Sequence, residues 1–126
     1  MRRVCAVALA IACAAMLYAM PAEASKANPT RIQVSAKEFF FALSRRVVPP
    51  GPAIVELVNF GEDPHDLRVQ RIGGGRVWGS PVVFPGSYYD LNVNLVPGKY
   101  LLWCSIANHR QLGMETELTV KVRKKS

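Results

Sequence analysis

From residue 30 onward, apolar and polar residues alternate at period two in segment after segment, and no stretch carries a convincing helical period. Period two puts one row of side chains on each face of an extended chain, so the pattern demands strands with one face against a core. Over residues 30–36, Ile32 and Val34 share a face while Arg31, Gln33 and Ser35 share the other. Phe39, Phe41 and Leu43 continue an apolar row, and Pro49-Pro50-Gly51-Pro52 is a hard turn. Residues 53–60 are apolar on both faces apart from Glu56 and, near the end, Asn59, as a central strand would be. His65, Leu67 and Val69 then oppose Asp66, Arg68 and Gln70. Tyr89, Leu91, Val93 and Leu95 oppose Asp90, Asn92 and Asn94, and Leu118, Val120 and Val122 oppose Glu117, Thr119, Lys121 and Arg123. Residues 73–86, rich in glycine and proline around Trp78, fit either a short strand or a loose excursion. Seven or eight short strands with frequent turn signals predict an all-β protein, a two-sheet antiparallel sandwich of Greek-key type.

The first residues obey a different rule. Arg2 and Arg3 precede an apolar stretch over residues 4–19, and Ala22-Glu23-Ala24 offers a small-x-small cleavage site. The expectation is an export signal over residues 1–24, a linker over 25–29 and one domain over 30–126. A retained membrane anchor is the alternative. Export implies a periplasmic or extracellular protein with no membrane span in its mature chain. Cys5 and Cys13 fall within the signal, as do Met1, Met16 and Met20, which leaves Cys104 and Met114 as the sole cysteine and methionine of the domain. A lone cysteine cannot form an internal disulfide, and in an oxidising compartment it must be buried or occupied. The chain is basic, with a net charge of +7, but the basic residues are scattered rather than gathered on one face with aromatics. Nucleic acid is therefore not expected as a partner, and the charge favours acidic protein partners.

Cys104 lies at the end of an apolar strand and opens the run Cys-Ser-Ile-Ala-Asn-His-Arg-Gln-Leu-Gly-Met, a C-x4-H-x4-M spacing ending at Met114. His109 in this run and His65 upstream are the only 2 histidines. Two imidazoles, a thiolate and a thioether suit a copper ion that passes between its cuprous and cupric states. Tyr100, Leu102 and Cys104 share a face, so Cys104 reaches the core at its strand's end, while His65 stands at the start of its own strand. Antiparallel neighbours would bring the two together at one pole. A five-residue extended step spans roughly 16 Å, so the loop carrying His109 and Met114 must fold back. Asn108 and Gly113 stand just before those residues and suit tight turns.

The chain resembles the cupredoxins, the small blue copper proteins of plastocyanin and azurin type. The resemblance rests on Phe39-Phe40-Phe41, Asn59-Phe60-Gly61 before His65, Pro97-Gly98-Lys99-Tyr100 before Cys104, and the C-x4-H-x4-M loop, whose spacing is similar to that of rusticyanin- and sulfocyanin-type members. It implies one copper ion held by His65, Cys104, His109 and Met114, electron transfer with redox partner proteins such as a cytochrome or an oxidase, and a monomer. It also implies an electron port at His109, flanked by Ile106, Ala107 and Leu112. Many members place asparagine after the first histidine to brace the ligand loop; here Asp66 stands there, able to accept hydrogen bonds but not to donate them.

Other readings fit less well. Structural zinc wants four His or Cys ligands, and the domain offers three. A Cys104/His109 hydrolase needs a third group to orient its base, and Asp66 points away from His65. Multicopper oxidases and copper nitrite reductases need further histidines, and a binuclear copper centre needs a second cysteine where Ala107 and Asn108 stand, so no enzyme is expected. Non-redox copper storage or delivery is the alternative function, disfavoured by the absence of methionine- and histidine-rich stretches.

Overall fold

A computed structural model describes residues 26–124; the proposed export signal lies outside the described residues. Nine strands form two sheets. The first sheet contains β1 (Thr30–Lys37), β2 (Phe40–Leu43), β4 (Gly51–Asn59) and β7 (Tyr88–Leu95), in the order β2-β1-β4-β7. The second contains β3 (Val47–Val48), β5 (Arg68–Arg71), β6 (Val77–Gly79), β8 (Gly98–Trp103) and β9 (Glu115–Val120), in the order β3-β9-β8-β5-β6. The architecture is the expected all-β sandwich. Its count exceeds the expected seven or eight because β3 and β6 are stubs of two and three residues.

The expectation of wholly antiparallel pairing needs correction. β1 pairs with β4 in parallel, and β3 pairs with β9 in parallel. After the β1–β2 hairpin the chain crosses to the second sheet as β3 and returns along the far side of β1, so β4 arrives running the same way. This crossover couples the sheets through the backbone.

The alternating rows meet between the sheets. Ile32, Val34, Ala36, Val55, Leu57, Leu91, Val93 and Leu95 face Leu67, Val69, Tyr100, Leu102, Leu118 and Val120, all buried. Each such Val or Leu contributes about 1.5–3 kcal/mol by leaving water. Two expected core residues do not join: Tyr89 is 38% exposed at the start of β7, and Val122 is 68% exposed beyond the end of β9. Tyr100 buries its ring beside Trp78 and both donates to and accepts from the backbone of Val96, pinning the Pro97-Gly98 turn.

The register fixes where the ends fall. β5 runs antiparallel to β8, with Arg68 opposite Trp103 and Arg71 opposite Tyr100. Residues just before Arg68 and just after Trp103 therefore share one pole. The Gly73-Gly74-Gly75 turn, which follows Arg71, lies at the other. Residues 73–86, open in the sequence reading, supply β6 and then Val83, which pairs with His65 through reciprocal backbone bonds.

Candidate metal centre

His65, Cys104 and His109 converge at the shared pole, their donor atoms all within 4.8 Å of one another. The two Nδ1 atoms are 3.3 Å apart, and Cys104 Sγ is 3.6 Å from His109 Nδ1. His65 and Cys104 are fully buried, and His109 is 8% exposed. Burial pushes the Cys104 thiol above its ordinary value, so the sulfur keeps its proton at neutral pH until something replaces it.

Met114 is buried at the same pole. Its carbonyl accepts from Cys104 N at 3.1 Å, and its own N–H donates to His109 O at 3.1 Å. The backbone thus ties all three loop residues together. The loop is a run of tight turns: His109 N bonds Ile106 O, Leu112 N bonds Asn108 O, and Gly113 N bonds Arg110 O. Gly113 has φ +113°, a conformation that only glycine adopts without strain. The second positive φ in the loop is at Ala107, +44°, and Asn108 lies in the turn that follows it. Phe39 packs on the His109 ring, with centroids 4.8 Å apart.

His65 is secured differently. Its backbone pairs with Val83, as above. The preceding turn is held by Asn59, fully buried, whose Nδ2 donates to Asp63 O at 2.8 Å and Val83 O at 2.9 Å and whose Oδ1 accepts from Gly61 N at 2.9 Å. Glu38 reaches over from the end of β1. Its Oε1 accepts from Glu62 N at 2.8 Å, Asp63 N at 2.9 Å and His65 Nε2 at 3.1 Å. The backbone donor of Asp63, with help from its other partners, holds this carboxyl down at about 2, so it is ionised at ordinary pH. The carboxylate lies flat on Gly61, where a Cβ would collide with Glu38 Oε1 and come within 2.7 Å of its Cδ.

Asp66 braces the cysteine side. It is 3% exposed and accepts from Ser105 N at 2.6 Å and from Ser105 Oγ, while Arg68 Nη2 stands 3.0 Å from its second oxygen. Both carboxylate oxygens are used as acceptors across this junction, so Asp66 braces the loop without donating, and its second oxygen takes the Arg68 contact that an asparagine amide nitrogen could not. Its carboxylate is engaged by Ser105 and Arg68, and it is Glu38 that meets the His65 ring.

Sequence reasoning brought forward His65, Cys104, His109 and Met114, and the structure gathers the first three into one cluster with the fourth tied beside them. It missed Glu38. That residue is far from His65 in sequence and sits in a charged pair of no special spacing, so nothing in the sequence singles it out.

The donor set is one that fits a single copper ion: two imidazole nitrogens and a thiol sulfur in a buried cluster, with a buried thioether-bearing residue tied beside it. No protein-family model matches the chain, and no curated protein matches it. Solved structures do. Auracyanin A, a "blue" copper protein from the green thermophilic photosynthetic bacterium Chloroflexus aurantiacus, superposes with a TM-score of 0.61 at 16% identity, covering 75% of this chain and 100% of that one. Dithionite-reduced auracyanin from the photosynthetic bacterium Roseiflexus castenholzii gives 0.59 at 17% identity over 74% and 98%. A purple cupredoxin from Nitrosopumilus maritimus gives 0.54 at 19% identity over 73% and 99%. The fold is cupredoxin-like.

Proposed function

We propose that this protein carries single electrons by means of one copper ion held by His65, Cys104, His109 and Met114. The observation that supports this most is the meeting of two imidazole nitrogens and one thiol sulfur within 4.8 Å in a buried pocket. When bound, copper would supply a one-electron couple between its cuprous and cupric states. The chain's part is to offer a compromise donor set and to keep it from moving. Soft sulfur suits the reduced ion and imidazole suits both, while the bonds through Asn59, Glu38 and Asp66 and the turns of the 104–114 loop resist rearrangement. His109 alone among the four has any exposure, and it lies between half-buried Ile106 and exposed Leu112. It is the proposed port for electrons, with the surrounding apolar surface excluding water where a partner docks.

The partners are proposed to be redox proteins, acidic ones favoured by the chain's excess of basic over acidic residues, met outside the cytoplasm after removal of residues 1–24. No helix among the described residues is long and apolar enough to cross a membrane. Like the auracyanins and the purple cupredoxin named above, the chain has the build of a single small domain, and no catalysis is proposed for it.

The test is the visible spectrum of the copper-loaded domain. An intense thiolate-to-copper band, lost in Cys104→Ser and accompanied by reversible voltammetry, is expected. A colourless copper-loaded protein overturns the reading. Ready surrender of cuprous ion to a chelator, with no reversible wave, would replace electron transfer by copper delivery.

A further inference from the structure

We infer that Glu38 is a positioning residue for His65: its carboxylate fixes which ring nitrogen faces the donor cluster and sets a negative charge against the ring, favouring the oxidised state of a bound metal. The inference rests on the copper reading above and adds to it a residue outside the donor set.

The geometry carries it. A histidine ring has two nitrogens, and the hydrogen bond of one decides the role of the other. Here His65 Nε2 lies 3.1 Å from Glu38 Oε1, a carboxylate that can only accept, so Nε2 carries the proton. Nδ1 is left with its lone pair, and it is Nδ1 that faces His109 at 3.3 Å. The carboxylate is itself immobilised. The same oxygen accepts from the backbone of Glu62 and Asp63, the turn that delivers His65, and the bare face of Gly61 lets it lie close. One oxygen therefore orients the ring and locks the turn beneath it. An anionic acceptor also makes the imidazole a stronger donor, as outer partners of metal-bound histidines do, and a cupric ion gains more from that than a cuprous one.

Because Oε1 alone takes all three bonds, Glu38→Gln keeps an acceptor in place and deletes only the charge. The experiment compares wild type and Glu38→Gln, both copper-loaded, by absorption and voltammetry. The expected result is a retained thiolate band with the cupric-over-cuprous preference reduced about tenfold, a rise in potential of about 59 mV for a one-electron couple. A rise of less than about twofold, roughly 18 mV, or a fall, overturns the inference. A merely structural role would disturb the band rather than move the potential beneath an unchanged one. Should the variant fail to fold or to bind copper, the wild-type cuprous protein, which is diamagnetic, decides by NMR. A His65 Nε2 proton protected from exchange supports the assignment, and its absence, or a proton found on Nδ1, overturns it. A wild type without the band sinks the copper reading instead, so the two failures are told apart.

Discussion

The two halves of the metal centre are built on opposite plans. The loop from Cys104 to Met114 is held mainly by its own backbone, through bonds between residues at most ten apart, with Asp66 reaching Ser105 from outside. His65 is held by side chains from far along the chain: Asn59 bonding Val83, and Glu38 bonding Glu62, Asp63 and His65 itself. The first plan tolerates changes of side chain so long as the turns survive. The second concentrates its support in a few buried or closely seated polar groups, and it fails when one of them is removed.

The sharpest break should come from Asn59→Ala. It deletes three hydrogen bonds at a fully buried position and leaves the Val83 carbonyl with the His65 N–H as its remaining partner. A loss of about 3 kcal/mol is expected, measured as a fall in the denaturant midpoint of the metal-free protein. Gly61→Ala comes next, at about 2 kcal/mol by overpacking, because its Cβ must push Glu38 aside. Its potential should rise together with that of Glu38→Gln, which voltammetry would check. In the loop, Gly113→Ala meets only Phe39 O at 3.5 Å, so its cost is the backbone's alone, about 1 kcal/mol; thermal melts of the copper-free form should register it. Smallest is Arg110→Ala, which removes an exposed ion pair with Glu115 and a guanidinium 4.9 Å above the Trp103 ring. A change near 0.5 kcal/mol is expected, and urea titration of the two proteins would reveal a larger one. If Asn59→Ala proved as mild as Arg110→Ala, the contrast between the halves would dissolve.

The same contrast explains what could be read from the sequence. The loop was legible because its constraint is local: ligand spacing and a glycine before Met114 suffice to require a folded-back turn. The sandwich was legible because period two is a property of each strand separately, so Ile32, Val55, Leu102 and Leu118 declare their faces without reference to partners. What needed two distant segments at once was hidden. The parallel alliance of β1 and β4 depends on a crossover whose only strand in the second sheet is the two-residue β3. Glu38 looks like any surface acid until the 61–63 turn is brought under it. Tyr89 and Val122 likewise lie at the start of one strand and beyond the end of another, and alternation along a strand does not report where it ends.

The Gly73-Gly74-Gly75 turn has a practical corollary. Open space surrounds each of the three residues, and the strand register sets them at the far end of the sandwich from His109. A tether grafted there, to an electrode or to a fused carrier, would leave the proposed electron port pointing outward. Immobilised molecules would then share a single orientation, with the same face presented to whatever approaches.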